Sequence, residues 1–215
     1  IAIDPVATPD ILPERASVCV IGGGVIGVSI ALELAERGIP VALLEKGVIA
    51  GEQSSRNWGW CRVMGRDPRE VPLALESLNI WRSMNERVGA ETGFRQCGIL
   101  YLADSDASLA EKQAWYEKTA KPYGLTTHVI GPDKVEELQP GASIRWKGAL
   151  YTPSDCRAEP FIAVPAMARQ VMTLGGHVVQ HCAVRGIETS GGRVSGVVTE
   201  KGRIFLRNIA VVFDA

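Results

Sequence analysis

Ser17-Val18-Cys19-Val20-Ile21-Gly22-Gly23-Gly24-Val25-Ile26-Gly27 decides the reading of this chain. A short apolar run enters a glycine turn, and a helical pattern starts directly behind it. Gly22, Gly24 and Gly27 keep the G-x-G-x-x-G spacing. Its glycines serve a tight turn, close backbone approach to a pyrophosphate, and close packing of helix on strand. The first N–H groups of the helix, at Val25 and Ile26, then carry a partial positive charge and are expected to be free for phosphate oxygens.

On the C-terminal side the pattern continues as a βαβ unit. Val28, Ala31, Leu32 and Ala35 recur at helical spacing from Val25 to Arg37, with Gly38 as the stop. Pro40 to Glu45 is a second apolar strand ending in an acid. Glu45 follows Gly22 at close to the spacing of about 20 residues at which a carboxylate meets an adenosine ribose. A 2′-phosphate would be repelled there, which disfavours an NADP-type partner. The competing reading of Glu45 is an exposed acid ending a strand.

Gln53-Ser54-Ser55-Arg56-Asn57-Trp58-Gly59-Trp60-Cys61-Arg62 shows no clean period. Ser54, Ser55 and Arg56 are candidates for phosphate oxygens, the guanidinium offering a fork. Gly59 lets the backbone approach a flat ring. Trp58 and Trp60 have the alternative of simply packing the loop onto the core.

Farther on, one helix is expected from Glu70 to Val88, a strand from Arg95 to Ala103, and a helix from Asp106 to Ala120. A strand at 128–130, a helix at 132–138 and a strand from Arg145 to Tyr151 follow. Glu159-Pro160 opens a helix to Leu174 in which Pro165 predicts a bend or a late start. The chain closes in β signals at 177–182, 184–189, 194–199 and 204–213, separated by glycine turns.

Composition sets the class. The 215 residues are 46% hydrophobic and 22% charged with a net charge of −1, as in a globular protein with a real core. No basic block points to nucleic acid, and no apolar run is long enough for a membrane span. Ile1 to Glu14 reads as a surface lead-in and not a signal peptide. Five cysteines without a C-x-x-C pair predict reduced, buried thiols and a cytoplasmic location. The three histidines are too few and too dispersed to predict a metal site.

Together these segments resemble the FAD-dependent amine and amino-acid oxidoreductases, the family of D-amino-acid oxidases and dehydrogenases, glycine oxidase and sarcosine oxidase. Val18 to Gly27 with Glu45 is similar to its FAD-binding βαβ unit. The 53–60 loop resembles the one that passes the pyrophosphate and reaches the isoalloxazine. Gly148 to Pro160 resembles the strand entering the helix after the substrate sheet, although Cys156 stands where the family commonly has glycine. Cys182-Ala183-Val184 matches the strand whose backbone, at Val184, meets the adenine.

The resemblance implies an α/β fold: a Rossmann-like FAD-binding domain with an inserted α+β substrate-domain portion and a β-meander. Residues 1–70 would be the FAD-binding segment, 71–160 part of the substrate domain, and 161–215 the return. It implies FAD held by Gly22, Gly24, Val25, Ile26, Gly27, Glu45, Lys46, Ser54, Ser55, Arg56, Asn57, Gly59 and Val184. Trp60 and Tyr101 are candidate walls of a substrate pocket, with core packing as the competing role. The implied reaction oxidises the C–N bond of an amino acid or secondary amine by hydride transfer to flavin. Val211 to Ala215 resembles the strand before an Ala-Gly turn beside FAD, and the family continues for another domain-sized portion that usually holds the substrate carboxylate. A second reading is therefore a silent subunit needing a partner chain or the missing half. A third, disfavoured by the Ser-Ser-Arg-Asn loop, is an NAD-dependent dehydrogenase.

Overall fold

The computed structural model describes residues 2–206. In chain order its first elements are β1 (Arg15–Ala16), β2 (Val18–Ile21), α1 (Val25–Glu36), β3 (Val41–Leu44) and β4 (Trp60–Cys61). Next come α2 (Val71–Arg82), α3 (Met84–Val88), β5 (Arg95–Gln96), β6 (Ile99–Ala103), α4 (Asp106–Trp115) and β7 (His128–Ile130). The last are α5 (Pro132–Leu138), β8 (Gly148–Thr152), β9 (Cys156–Arg157), α6 (Pro160–Thr173), β10 (His177–Val179), β11 (Val184–Ser190), β12 (Arg193–Thr199) and β13 (Gly202–Leu206). A single π turn over Tyr116–Ala120 continues α4. The chain divides into unit 1 (residues 1–58, 85–93 and 159–215) and unit 2 (residues 59–84 and 94–158).

Unit 1 holds a parallel sheet in the order β10-β3-β2. All four residues of β3 are buried, as a central strand covered on both faces must be. Gly27, Val28, Ala31, Leu32 and Ala35 form the buried stripe of α1, and α1 packs on α6. Gly38, at φ +68°, ends α1 in the left-handed region that glycine adopts without strain.

The helix begun at Pro160 does not bend or start late at Pro165; α6 runs unbroken through it. Proline removes the hydrogen bond that the carbonyl four residues earlier would accept. That carbonyl belongs to Phe161, and the Asp4 N–H donates to it at 2.9 Å. The lead-in segment thus supplies what the proline withholds, and Arg169 adds a 2.7 Å ion pair to Asp4.

A second sheet in unit 1 has the order β1-β13-β12-β11. The three closing strands are the expected antiparallel meander. The pairing of β1 with β13 has no signal in the sequence, because two residues carry no period. The part of the expected 204–213 strand beyond Leu206 lies outside the described residues. Ala16, Cys19, Leu44, Val179, Cys182, Val197 and Ile204 form a buried cluster that includes residues of both sheets.

Unit 2 contains a sheet in the order β6-β8-β7 and a smaller one in the order β4-β9-β5. The helix expected over 70–88 is two helices. Ser83 ends α2, its hydroxyl donating to the Ile80 carbonyl at 3.2 Å in competition with the backbone ladder. The strand expected over 95–103 is also two, split at Gly98, whose φ of +69° is incompatible with a continuing strand. The strand expected from Arg145 begins at Gly148, and Cβ at that position would lie 2.5 Å from the Ile130 carbonyl oxygen. Close strand approach needs the glycine there.

Candidate functional site

The glycine turn is built by contacts that arrive from three directions. Gly22 has φ +109°, a conformation other residues adopt only under strain. A Cβ on Gly27 would stand 2.0 Å from the Gly22 carbonyl oxygen, so α1 meets the turn closely only because Gly27 has no side chain. The Ala50 N–H donates to the Gly23 carbonyl at 2.9 Å and ties the following loop to the turn.

Glu45 is not an exposed acid; it is 7% exposed. Its carboxylate accepts the Gly23 N–H through Oε2 and the Gly47 N–H through Oε1, each at 2.6 Å. The acid at the end of β3 is therefore a strap between the glycine turn and the chain leaving the strand. Ser54 is also buried, and its Oγ accepts the Val25 N–H at 2.8 Å. The Val25 N–H, expected to be free for phosphate, is thus engaged by protein, as is that of Gly23. A serine hydroxyl that accepts still has its own proton to donate, so the Ser54 hydroxyl keeps one proton free for a further partner.

Between these straps lies a pocket of about 90 Å³ lined by Gly22, Gly23, Gly24, Glu45, Lys46, Gly51, Glu52, Gln53 and Ser54. Gly22, Gly24, Glu45, Lys46 and Ser54 are brought together here. Lys46 is exposed, with its ammonium 4.0 Å from Glu52. Ile26 is 54% exposed on the first turn of α1.

The remaining candidates lie outside this pocket. Arg56 pairs with Glu52 at 3.3 Å, and Ser55 Oγ donates to the Glu52 carbonyl at 3.3 Å. Asn57 Nδ2 donates to the carbonyls of Gln53 and Ser54, each at 3.1 Å, which closes the short 3₁₀ turn at 53–55. Val184 begins β11 and packs against the cluster around Cys182. Gly59 belongs to unit 2, has φ +65°, and its carbonyl accepts the Ala158 N–H at 2.9 Å.

Sequence reasoning missed Gln180. It is buried, its Oε1 accepts the Ile49 N–H at 2.7 Å, and its Nε2 donates to the Val6 carbonyl at 2.7 Å. The signal was a lone amide in the apolar run Val178-Val179-Gln180. In unit 2 the missed residue is Asp155, fully buried, whose carboxylate accepts the N–H groups of Val63 at 2.9 Å and Met64 at 3.2 Å. Burial raises its pKa against the lowering pull of those hydrogen bonds and of Arg62 and Arg66.

Trp60 and Tyr101 stand with ring centroids 6.2 Å apart, and the Arg62 guanidinium lies 5.6 Å from each ring. Trp58 does not pack a core, being 78% exposed, and Trp60 is 42% exposed. The cysteines are all free, but Cys97 is exposed, against the expectation of buried thiols. His177 and His181 do not share a strand, since β10 stops at Val179 and His181 has φ +50°. Among the described residues no group of three or more His, Cys, Asp or Glu is placed to hold a metal. No helix among them is long and apolar enough to cross a membrane.

A family model described as "FAD dependent oxidoreductase" matches residues 17–214. The mitochondrial sarcosine dehydrogenase of Mus musculus is 30% identical over 201 residues, covering 90% of this chain and 22% of that protein. Sarcosine oxidase subunit beta of Arthrobacter sp is 31% identical over 208 residues, covering 93% of this chain and 51% of its own. The structure of an L-amino acid deaminase from Proteus myxofaciens in complex with anthranilate superposes with a TM-score of 0.91 at 36% identity. It covers 98% of this chain and 48% of the deaminase. The chain thus spans between about a fifth and a half of these relatives.

Proposed function

The chain belongs to the FAD-dependent oxidoreductase family, and on that premise we propose that the whole protein oxidises the C–N bond of an amino acid or secondary amine. The observation that carries the cofactor assignment is the pocket at the glycine turn, where the Ser54 hydroxyl and Lys46 lie beside the bare backbone of Gly22 and Gly24, and Glu45 offers a carboxylate suited to ribose hydroxyls. The residues present fit FAD at its pyrophosphate end. Gly22 and Gly24 leave the backbone open, Gly27 allows the helix to approach, and the Ser54 hydroxyl and Lys46 ammonium supply donors.

When bound, FAD supplies the two-electron acceptor for the substrate hydride. This chain's contribution is binding and orientation. Glu45 sits at the end of β3, where in Rossmann folds an acid meets a ribose, and its hold on Gly23 keeps the turn in shape for the pyrophosphate. In this reading Ser55, Arg56 and Asn57 would contact the pyrophosphate or the ribityl chain, Gly59 would lie near the ring, and Val184 would meet the adenine. The substrate, once it has lost its hydride, is an iminium ion that water hydrolyses to a carbonyl and a free amine. The substrates in the relatives' names, sarcosine and L-amino acids, define the first panel to test.

The test is purification of the full-length protein, its flavin absorbance, and reduction of that absorbance by sarcosine, glycine, proline and a set of L- and D-amino acids under anaerobic conditions. A flavin-free protein that takes up no FAD would overturn the cofactor assignment. A flavoprotein that no amine or amino acid reduces would overturn the reaction. The resemblance to a sarcosine oxidase beta subunit favours a second reading, a subunit that needs a partner chain for turnover. Co-purification of a second polypeptide that restores turnover distinguishes it. The cytoplasmic location inferred from the cysteines is tested by cell fractionation.

A further inference from the structure

Cys61, Cys97 and Cys156 come from separate stretches of unit 2 and converge on its smaller sheet. Cys156 lies on the central strand β9 directly opposite Cys61 on β4, and the Cys61 side chain packs against the buried cluster containing Cys156. On the other side of β9, Cys156 faces Gln96, and Cys97 follows immediately. Gly98 then donates its N–H to the Asp155 carbonyl at 3.0 Å, which pins the Cys97 turn beside β9.

The geometry suits a bridge. Directly opposed residues of an antiparallel pair have Cα atoms about 4.5–5.5 Å apart, within the range of about 4.4–6.8 Å that a disulfide spans. The register is held by the Asp155 carboxylate, which clasps the Val63 and Met64 N–H groups two and three residues past Cys61. Burial pushes the Cys61 thiol up to about 12 and the Cys156 thiol up to about 11, so each alone meets an oxidant slowly. Cys97 is the exposed member of the three.

We infer that these three thiols form a relay in which a peroxide oxidises Cys97 and the oxidation ends as a Cys61–Cys156 disulfide. With hydrogen peroxide, the Cys97 thiolate attacks one oxygen; the S–O bond forms, the O–O bond breaks, and the leaving hydroxide takes a proton to become water. Cys156 loses its proton and attacks the Cys97 sulfenic sulfur; the S–S bond forms and the S–O bond breaks with release of a second water. Cys61 then attacks the Cys156 sulfur and Cys97 leaves as a thiolate. In sum two thiols are oxidised by two electrons and one peroxide is reduced to two waters. The exchange runs toward Cys61 because that residue, unlike Cys97, faces Cys156 in register.

The experiment treats the full-length protein with hydrogen peroxide, quenches by alkylation, and reads intact mass and non-reducing peptide maps. The expected product has lost two hydrogens, carries one crosslink between the Cys61 and Cys156 peptides, and reverts with dithiothreitol. C97S slows its formation by about tenfold or more, and C61S stalls at a Cys97–Cys156 linkage. Cys19 and Cys182, also buried and members of one core cluster, stay reduced as the internal control. The inference is overturned if Cys61 and Cys156 remain alkylatable while Cys97 proceeds to sulfinic acid. It is equally overturned if C97S crosslinks at the wild-type rate, or if Cys19 and Cys182 link first. The wild-type map alone decides the matter should C61S fail to fold.

Discussion

Replacing Glu45 by Gln separates a strap from a ligand. The carboxylate accepts two backbone N–H groups, from Gly23 and Gly47, at 2.6 Å each, and is 7% exposed. An amide keeps one acceptor oxygen and turns an NH₂ against the other N–H, so one buried donor is left facing a donor. A hydrogen bond to a charged group contributes about 1.5–3 kcal/mol, and an unsatisfied buried N–H costs about 1–3 kcal/mol. These overlap, since they describe the same lost contact, and the working figure is about 2–3 kcal/mol. At roughly 2–4 °C per kcal/mol for a domain of this size, Glu45→Gln should lower the melting temperature by about 4–12 °C. The measurement is the melt of the flavin-free full-length protein, followed by titration with FAD. A flavin-free melt within about 1 °C of wild type, with FAD affinity alone reduced, would refute the strap and leave Glu45 as a ribose ligand only.

Gly27→Ala gains about 1 kcal/mol of helix propensity but places a methyl 2.0 Å from the Gly22 carbonyl oxygen, a backbone atom that cannot rotate away. The variant should purify without flavin and melt lower; full flavin content at wild-type stability would contradict the close-packing role. Asp155 has a folded pKa raised above its ordinary 3.8 by burial, so the stability it contributes is greatest below that value and declines as pH rises through the folded pKa. The advantage of wild type over Asp155→Asn should therefore widen as pH falls from neutrality toward 4, and thermal melts across that range will read it. Arg87 has a side chain 18% exposed and pairs with Glu36 at 2.6 Å and with Glu33. Arg87→Ala should cost about 1–2 kcal/mol after allowing for the exposure of both acids. Arg87 holds the Glu33 pKa below its ordinary 4.5, so that deficit should shrink as pH falls through the folded value. A deficit constant with pH would place the effect in packing.

The βαβ unit was legible because its signals are local: Val28, Ala31, Leu32 and Ala35 keep one helical face, and glycine spacing fixes the turn. What the sequence could not reveal depends on partners far along the chain. Pro165 looked like a break because nothing local offers a replacement donor; Asp4, in the lead-in, supplies it. Ser83 and Gly98 interrupt runs whose periodicity alone would continue through them. Glu45 was singled out by position, yet its burial and its hold on Gly23 follow from tertiary packing. Asp155 and Gln180 carry no motif, and their roles appear only once the backbone groups they satisfy are in place.

The order of strands in the parallel sheet has a further meaning for how the molecule is made. β3 is the central strand, buried on all four residues, but one of its two neighbours, β10, is not synthesised until residues 177–179. Ile49 likewise waits for Gln180, 131 residues later, and Gln180 reaches back 174 residues to Val6. Such distant pairings close large loops before they are rewarded, which slows folding. During translation the flank of β3 that β10 will cover is an open apolar edge for more than half the length of the described chain. That interval is when the nascent protein is most exposed to strand-to-strand misassembly, and when a chaperone would have the most to shield.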